Sequence, residues 1–91
     1  MIDAAQIKAA RALLGINQVK LSEWAAISIA TLKRIEAASE IRGAADTFWK
    51  IQRALEAAGI EFIPEEDVKG RGVRLKEKWH IKRKAGRRGV R

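Results

Sequence analysis

The first forty residues repeat one helix-start pattern three times, and this repetition limits the fold more than any other feature. Each copy has an apolar residue, a small polar residue and a second apolar residue five positions after the first: Ile2-Asp3 with Ile7, Ile16-Asn17 with Leu21, and Ile27-Ser28 with Leu32. The polar side chain accepts hydrogen bonds from free N–H groups of a first helical turn, and the two apolar residues pack across it. The pattern predicts helices that begin near residues 4, 18 and 29.

The extent of each helix follows from its apolar spacing. The first helix ends at Gly15, the second spans about residues 18–25, and the third runs to about residue 38. A short helix, a tight turn and a second capped helix together form a helix-turn-helix signature. A fourth helix fits residues 45–58, with its C-cap at residue 59. Its buried stripe contains Phe48, Ile51 and Leu55, whereas Trp49 lies off that stripe.

After residue 59 the apolar period changes from helical to alternating. Residues 60–63 alternate, and a second segment places Val73, Leu75, Trp79 and Ile81 on one side. An apolar residue at every second position predicts a β-hairpin in which residues 60–63 pair with about 73–77. The second strand either ends at residue 77 or continues to residue 81, and its outer face carries a row of positive charge. The chain therefore divides into a helical domain over residues 1–59, a hairpin extension over 60–82 and a flexible basic tail over 83–91.

Positive charge is concentrated at the carboxyl end. Residues 1–68 hold eight Lys/Arg against ten Asp/Glu, whereas residues 69–91 hold eleven Lys/Arg against Glu77 alone. Such a segment is expected to bind a polyanion, because phosphate groups attract positive charge and release their counterions on binding. The alternatives are a solvated tail and a membrane-surface helix, but the segment does not read as an amphipathic helix. The basic residues expected to meet nucleic acid are Arg74, Lys76, Lys78, Lys82, Arg83, Lys84, Arg87 and Arg88.

Composition excludes several classes of protein. The sequence has 91 residues, no Cys and one His. Within one chain, this excludes a disulfide scaffold, a Cys-ligated zinc site, a His–His metal site and a conventional catalytic triad. No apolar run approaches about 20 residues, no signal pattern opens the sequence, and no glycine pattern matches a phosphate-binding loop. We therefore expect a soluble cytoplasmic protein with no cofactor, no metal, no membrane contact and no enzymatic activity.

Two core residues set the rotation of the third helix. At about 100° per residue, Leu32 and Ile35 define the buried direction. Glu36 falls on the core side, where a lone carboxylate is costly to bury, so Arg11 on the buried stripe of the first helix is its expected partner. The residues expected to point away from the core are Ala30, Lys33, Arg34 and Ala37, with Ile29 and Thr31 on the flanks.

Eleven residues between positions 11 and 36 carry a pattern with a known counterpart. They are Arg11, Gly15, Asn17, Gln18, Leu21, Ala25, Ser28, Thr31, Leu32, Ile35 and Glu36. With this spacing the segment resembles the Cro/repressor-type (Xre) helix-turn-helix family of DNA-binding regulators, and the similarity covers about residues 3–58. The resemblance implies a mainly α fold: a lambda-repressor-like bundle of four to five helices with a helix-turn-helix, here with a C-terminal β-hairpin and a basic tail. The family usually has Gly where this chain has Ala26.

The resemblance also implies roles for individual side chains. In this family the third helix enters the major groove, so the base-contacting positions are Ile29, Ala30, Lys33 and Arg34. Phosphate contacts are implied for Asn17, Gln18, Ser28, Thr31 and Arg42. The family implies the same Arg11–Glu36 bridge, as a structural ion pair. For Lys33 and Arg34 the alternative is an ordinary solvated face.

The leading hypothesis is a sequence-specific regulator that binds double-stranded DNA and represses by occupying a pseudo-palindromic operator as a homodimer. Trp49 and the hairpin edge are candidate dimer surfaces. A second hypothesis is an antitoxin that neutralises a protein partner and represses its own operon. A third is RNA binding through the tail. Co-purification of a second small protein, or competition between duplex DNA and RNA, distinguishes these alternatives.

Overall fold

The computed structural model describes residues 2–37 and 45–77, and over these ranges the chain is mainly helical with one small antiparallel hairpin. The elements are α1 (Ala4–Leu14), α2 (Gln18–Ala25), α3 (Ile29–Ala37), α4 (Ala45–Ala57), β1 (Ile60–Ile63) and β2 (Gly72–Leu75). Several predicted features lie outside the described residues. They are the last residue of the third helix, the extension of the second strand over residues 78–81, and the side chains of Arg42, Lys78, Lys82, Arg83, Lys84, Arg87 and Arg88.

The three predicted helix starts are confirmed, each with its side-chain cap. Asp3 accepts a hydrogen bond from the Gln6 N–H at 2.9 Å, and the Gln6 side chain accepts one from the Asp3 N–H at 3.0 Å. The Asn17 side chain accepts from the Lys20 N–H at 2.8 Å, and the Ser28 hydroxyl accepts from the Thr31 N–H at 3.0 Å. Local hydrogen bonds therefore begin all three helices where the sequence places them.

The turn between α2 and α3 passes through a left-handed residue. Ala26 has φ 59° and ψ 45°, close to the conformation of Gly15 after α1, which has φ 70° and ψ 30°. An L-residue in this region brings its Cβ near the following carbonyl oxygen, whereas Gly has no Cβ. The turn therefore carries a small strain at Ala26.

Replacing Ala26 with Gly is expected to raise the free energy of unfolding by roughly 0.5–1 kcal/mol, because relief of the left-handed strain outweighs the added freedom of the unfolded chain. Urea unfolding followed by circular dichroism measures the change. Ala9→Gly is the matched control, since Ala9 is exposed within α1 and the same substitution there should cost about 1 kcal/mol. Equal destabilisation by both substitutions would contradict the assigned strain.

One hydrophobic core joins the helices and the hairpin. The largest fully buried side chains are Ile7, Leu21, Leu32, Ile51, Leu55 and Ile60, so each helix and β1 contributes at least one. The predicted stripe of α4 is confirmed, because Phe48 is also buried. Helix α2 packs against α3 and α4, while α1 packs against α3, α4 and β2. The exposed face of each helix is thereby fixed by the core that the other elements form.

The hairpin is shorter and shifted relative to its prediction. Ile60 pairs with Leu75 and Ile63 with Gly72, so the second strand covers residues 72–75 and not 73–77. The strand ends at residue 75 because its partner begins only after the left-handed Gly59 that follows α4; the Lys76 N–H still donates to the Gly59 carbonyl at 2.8 Å. Of the predicted outer row of positive charge, this strand carries Arg74, and the part of the row after residue 77 lies outside the described residues.

Candidate functional site

The exposed face of α3 is where the sequence places it. Ala30, Lys33, Arg34 and Ala37 are exposed, and Ile29 and Thr31 are half-buried at the flanks. Leu32 and Ile35 on the opposite side are buried in the core. We call this surface the α3 face. It combines two cations with small and aliphatic side chains on a nine-residue helix.

The two cations of the α3 face, Lys33 and Arg34, do not bind other groups of the described chain. Neither Lys33 nor Arg34 forms a side-chain hydrogen bond or ion pair with any other residue in ranges 2–37 and 45–77. By contrast, Lys50, Arg71 and Arg74 each lie within 4.0 Å of a carboxylate. A guanidinium without an internal partner keeps its full set of N–H donors for an external acceptor.

A buried ion pair holds α3 against α1, as predicted for Arg11 and Glu36. The Arg11 Nη2 and Nε atoms donate to the two carboxylate oxygens of Glu36 at 2.7 and 2.9 Å, which is the bidentate geometry of a strong pair. The Glu36 side chain is 4% exposed and that of Arg11 is 20% exposed. Hydrogen bonding to Glu36 is the main cause of the raised pKa of Arg11, against the opposing effect of burial.

Gln18 joins the Arg11–Glu36 ion pair, a role that was not predicted from the sequence. Its Nε2 donates to Glu36 Oε1 at 3.0 Å, so one carboxylate joins α1, α2 and α3. The phosphate contact predicted for the Gln18 side chain therefore competes with an existing internal bond. The available signal was the number of acceptor sites on a buried carboxylate, since a single Arg leaves some of them unsatisfied.

The other predicted phosphate contacts are polar groups at helix starts. Asn17 uses its side-chain oxygen as a cap, which leaves its Nδ2 group as a donor. The Ser28 hydroxyl donates to the Thr31 hydroxyl at 2.8 Å, and the proton of Thr31 remains to donate elsewhere. Lys20, which was not among the predicted phosphate contacts, lies in the first turn of α2. Its side chain is 52% exposed, and its ammonium lies 3.9 Å from the Glu23 carboxylate. These groups place donors and one cation at the starts of α2 and α3.

The hairpin holds two of the predicted basic residues in local contacts. Arg74 bonds to both carboxylate oxygens of Glu61, its cross-strand neighbour, at 3.1 and 3.3 Å. The hydrogen bond from Arg74 lowers the pKa of Glu61. The Lys76 ammonium donates to the Glu56 carbonyl at 3.3 Å. Within the hairpin, positive charge is thus partly balanced by carboxylate.

Other kinds of site find no support over the described ranges. Among residues 2–37 and 45–77, no three acidic, His or Cys side chains are grouped so that they would hold a metal ion. No helix in the same part of the chain is both long and apolar enough to cross a membrane. A scan of protein-family models finds no match to the chain, and searches of curated proteins and of solved structures find none either.

Proposed function

We propose that this protein is a sequence-specific regulator that binds double-stranded DNA, with α2 and α3 as a helix-turn-helix and α3 as the helix that enters the major groove. The observation that carries the proposal is the α3 face, an exposed helical surface on which Lys33 and Arg34 have no partner among the described residues. A helix with this profile suits the major groove, which is wide enough to admit it. The lambda-repressor-like architecture implied by the sequence belongs to the same proposal.

Base recognition is assigned to four residues of the α3 face. Arg34 presents the planar fork that fits the two acceptors of guanine in the major groove. Ile29 and Ala30 offer apolar atoms to thymine methyl groups, and Lys33 reaches a base edge or a phosphate. A good bidentate contact discriminates by about 1–3 kcal/mol against the wrong base, so Arg34 is expected to dominate the preference at one position.

Phosphate anchoring is assigned to the starts of α2 and α3. The first N–H groups of a helix attract an anion, and Asn17 Nδ2, the Thr31 hydroxyl and the Lys20 ammonium lie at these starts. The Gln18 side chain contributes instead by holding Glu36, which fixes α2 relative to α3. The basic segment after residue 69 adds salt-sensitive, sequence-independent affinity.

The proposed mode of action is repression by occupancy of an operator. A single module of this size buries too little surface for tight binding to one site, so two copies are expected to bind a pseudo-palindrome with their α3 helices about 34 Å apart. Occupancy then blocks access of polymerase. Control is expected to come from the concentration of the protein or from a partner.

Arg34→Ala tests the proposal directly. The parent protein is expected to select one palindromic site from a pool of random duplexes, and Arg34→Ala to relax one position in each half-site and weaken binding about tenfold or more. Lys8→Ala is the matched control, because Lys8 is an exposed cation on α1 and is not one of the residues to which base recognition is assigned. It should leave the base preference unchanged. A folded parent that selects no site, or an Arg34→Ala variant with an unaltered preference, contradicts the proposal.

A further inference from the structure

The outer face of α4 carries an exposed aromatic residue among charges of both signs. Trp49 is 53% exposed, and the Arg53 guanidinium lies 5.5 Å from the centre of its ring. Asp46 forms an ion pair with Lys50 at 3.8 Å, one turn away. At about 100° per residue these four side chains lie opposite the buried stripe of the helix. We call them the α4 face.

We propose that the α4 face is the surface through which two copies of this chain pair, about a two-fold axis that passes between Trp49 and Lys50. The inference rests on the proposed function in one respect, since a palindromic operator calls for two copies. It goes further by naming the residues that join them.

Charge complementarity identifies a second copy as the occupant. Asp46 and Arg53 lie at opposite ends of the α4 face, and their midpoint falls between residues 49 and 50. When two such helices cross antiparallel about that midpoint, Asp46 of each copy lies opposite Arg53 of the other. The same operation places Trp49 of each copy opposite Lys50 of the other. A two-fold interface needs this self-complementarity, because one patch must serve as both partners.

The aromatic residue supplies the apolar centre of the same contact. Trp is one of the side chains enriched at the energetic centres of protein interfaces, where the surrounding contacts exclude water. Trp49 stands at the middle of the α4 face, and Arg53 already covers one side of its ring. Pairing of two copies buries the exposed half of the indole and presents the guanidinium to a carboxylate.

The α4 face and the α3 face are compatible in one dimer. They share no residue, and α4 packs chiefly against α2 and β1. A dimer joined through α4 therefore leaves Lys33 and Arg34 exposed for DNA.

Charge reversal tests the proposal in the absence of DNA. In Asp46→Arg the chain presents Arg at both ends of the α4 face, and in Arg53→Asp it presents Asp at both ends. Each variant alone is expected to weaken dimerisation about tenfold or more, since the two-fold axis repeats every like-charge contact. An equimolar mixture of the two variants is expected to form a heterodimer, because every Arg then meets an Asp. Sedimentation equilibrium across a concentration series measures all three.

The double variant Asp46→Arg/Arg53→Asp separates pairing from helix stability. Residues seven positions apart on one helix are separated by about 10 Å along its axis, so the two groups do not pair within a chain. Restored dimerisation in the double variant thus reports contact between copies. Circular dichroism checks that every variant stays folded. A parent that is monomeric throughout the series, or variants that dimerise like the parent, overturns the proposal. Because DNA selection is measured separately, either result leaves the proposed function standing on its own test.

Discussion

Replacing Arg11 with Met is expected to lower the free energy of unfolding by about 3–5 kcal/mol at neutral pH. The substitution keeps an apolar stem in place but removes the cation. Among the described residues, the Glu36 carboxylate, whose side chain is 4% exposed, is then left with the Gln18 amide as its one donor. An ionised carboxylate without a compensating charge is costly to keep out of water. Urea unfolding at neutral pH measures the loss.

Two companion variants identify the cause of that loss. Glu36→Gln is expected to cost less, because the remaining guanidinium of Arg11 is 20% exposed and still donates to the Ile16 carbonyl. Arg11→Met/Glu36→Leu is expected to recover much of the stability, since a buried ion pair and an apolar pair of similar volume differ little in net energy. A double variant as unstable as Arg11→Met would show that packing and not charge is responsible.

The network also explains how the α3 face is held in position. Glu36 follows Arg34 by two residues and lies on the opposite side of the helix, so contacts from Arg11 and Gln18 fix the rotation of α3 about its axis. A bidentate contact to a base requires that rotation to be well defined. Loss of the network is thus expected to weaken the proposed selection of DNA sites even in variants that remain folded.

The helix starts and the α3 face were predictable because both depend on neighbours in sequence. A cap bonds to an N–H three residues away, as Ser28 does with Thr31. The direction of an exposed side chain follows from helical period once two core positions are known. The Arg11–Glu36 pair was predictable too, because each residue lies on the buried stripe of its helix. Burying a charge is costly unless an opposite charge lies next to it.

Features that depend on tertiary contact were not predictable in the same way. The Gln18 bond to Glu36 joins the start of α2 to the end of α3, and nothing local distinguishes it from a surface glutamine. The second strand ends at Leu75, two residues before the predicted end at residue 77, because the first strand starts at Ile60, which pairs with Leu75. Alternation reports which residues suit a strand, whereas pairing decides how many of them form one.

Replacing Ile60 with Ala is expected to lower the free energy of unfolding of the entire domain by about 2–5 kcal/mol, the usual range for deleting a fully buried aliphatic side chain. Ile60 is 0% exposed and belongs to the same core as Leu55 and Ile7, although it is the first residue of the hairpin. Helix α1 also holds the hairpin directly, since Gln6 Nε2 donates to the Gly72 carbonyl at 3.0 Å. The hairpin is therefore expected to unfold together with the helices.

Ile63→Ala is the matched control, because it removes the same atoms from the half-buried far end of β1 and should cost distinctly less. Ile60→Val provides a milder change, with an expected loss of about 0.5–1.5 kcal/mol, if Ile60→Ala is too unstable to measure. In urea, circular dichroism of the helices and tryptophan fluorescence should report one transition at an equally lowered midpoint. A first transition that leaves the helical signal intact would instead make the hairpin a separate unit, and a protein shortened near residue 63 would then keep its folded helices.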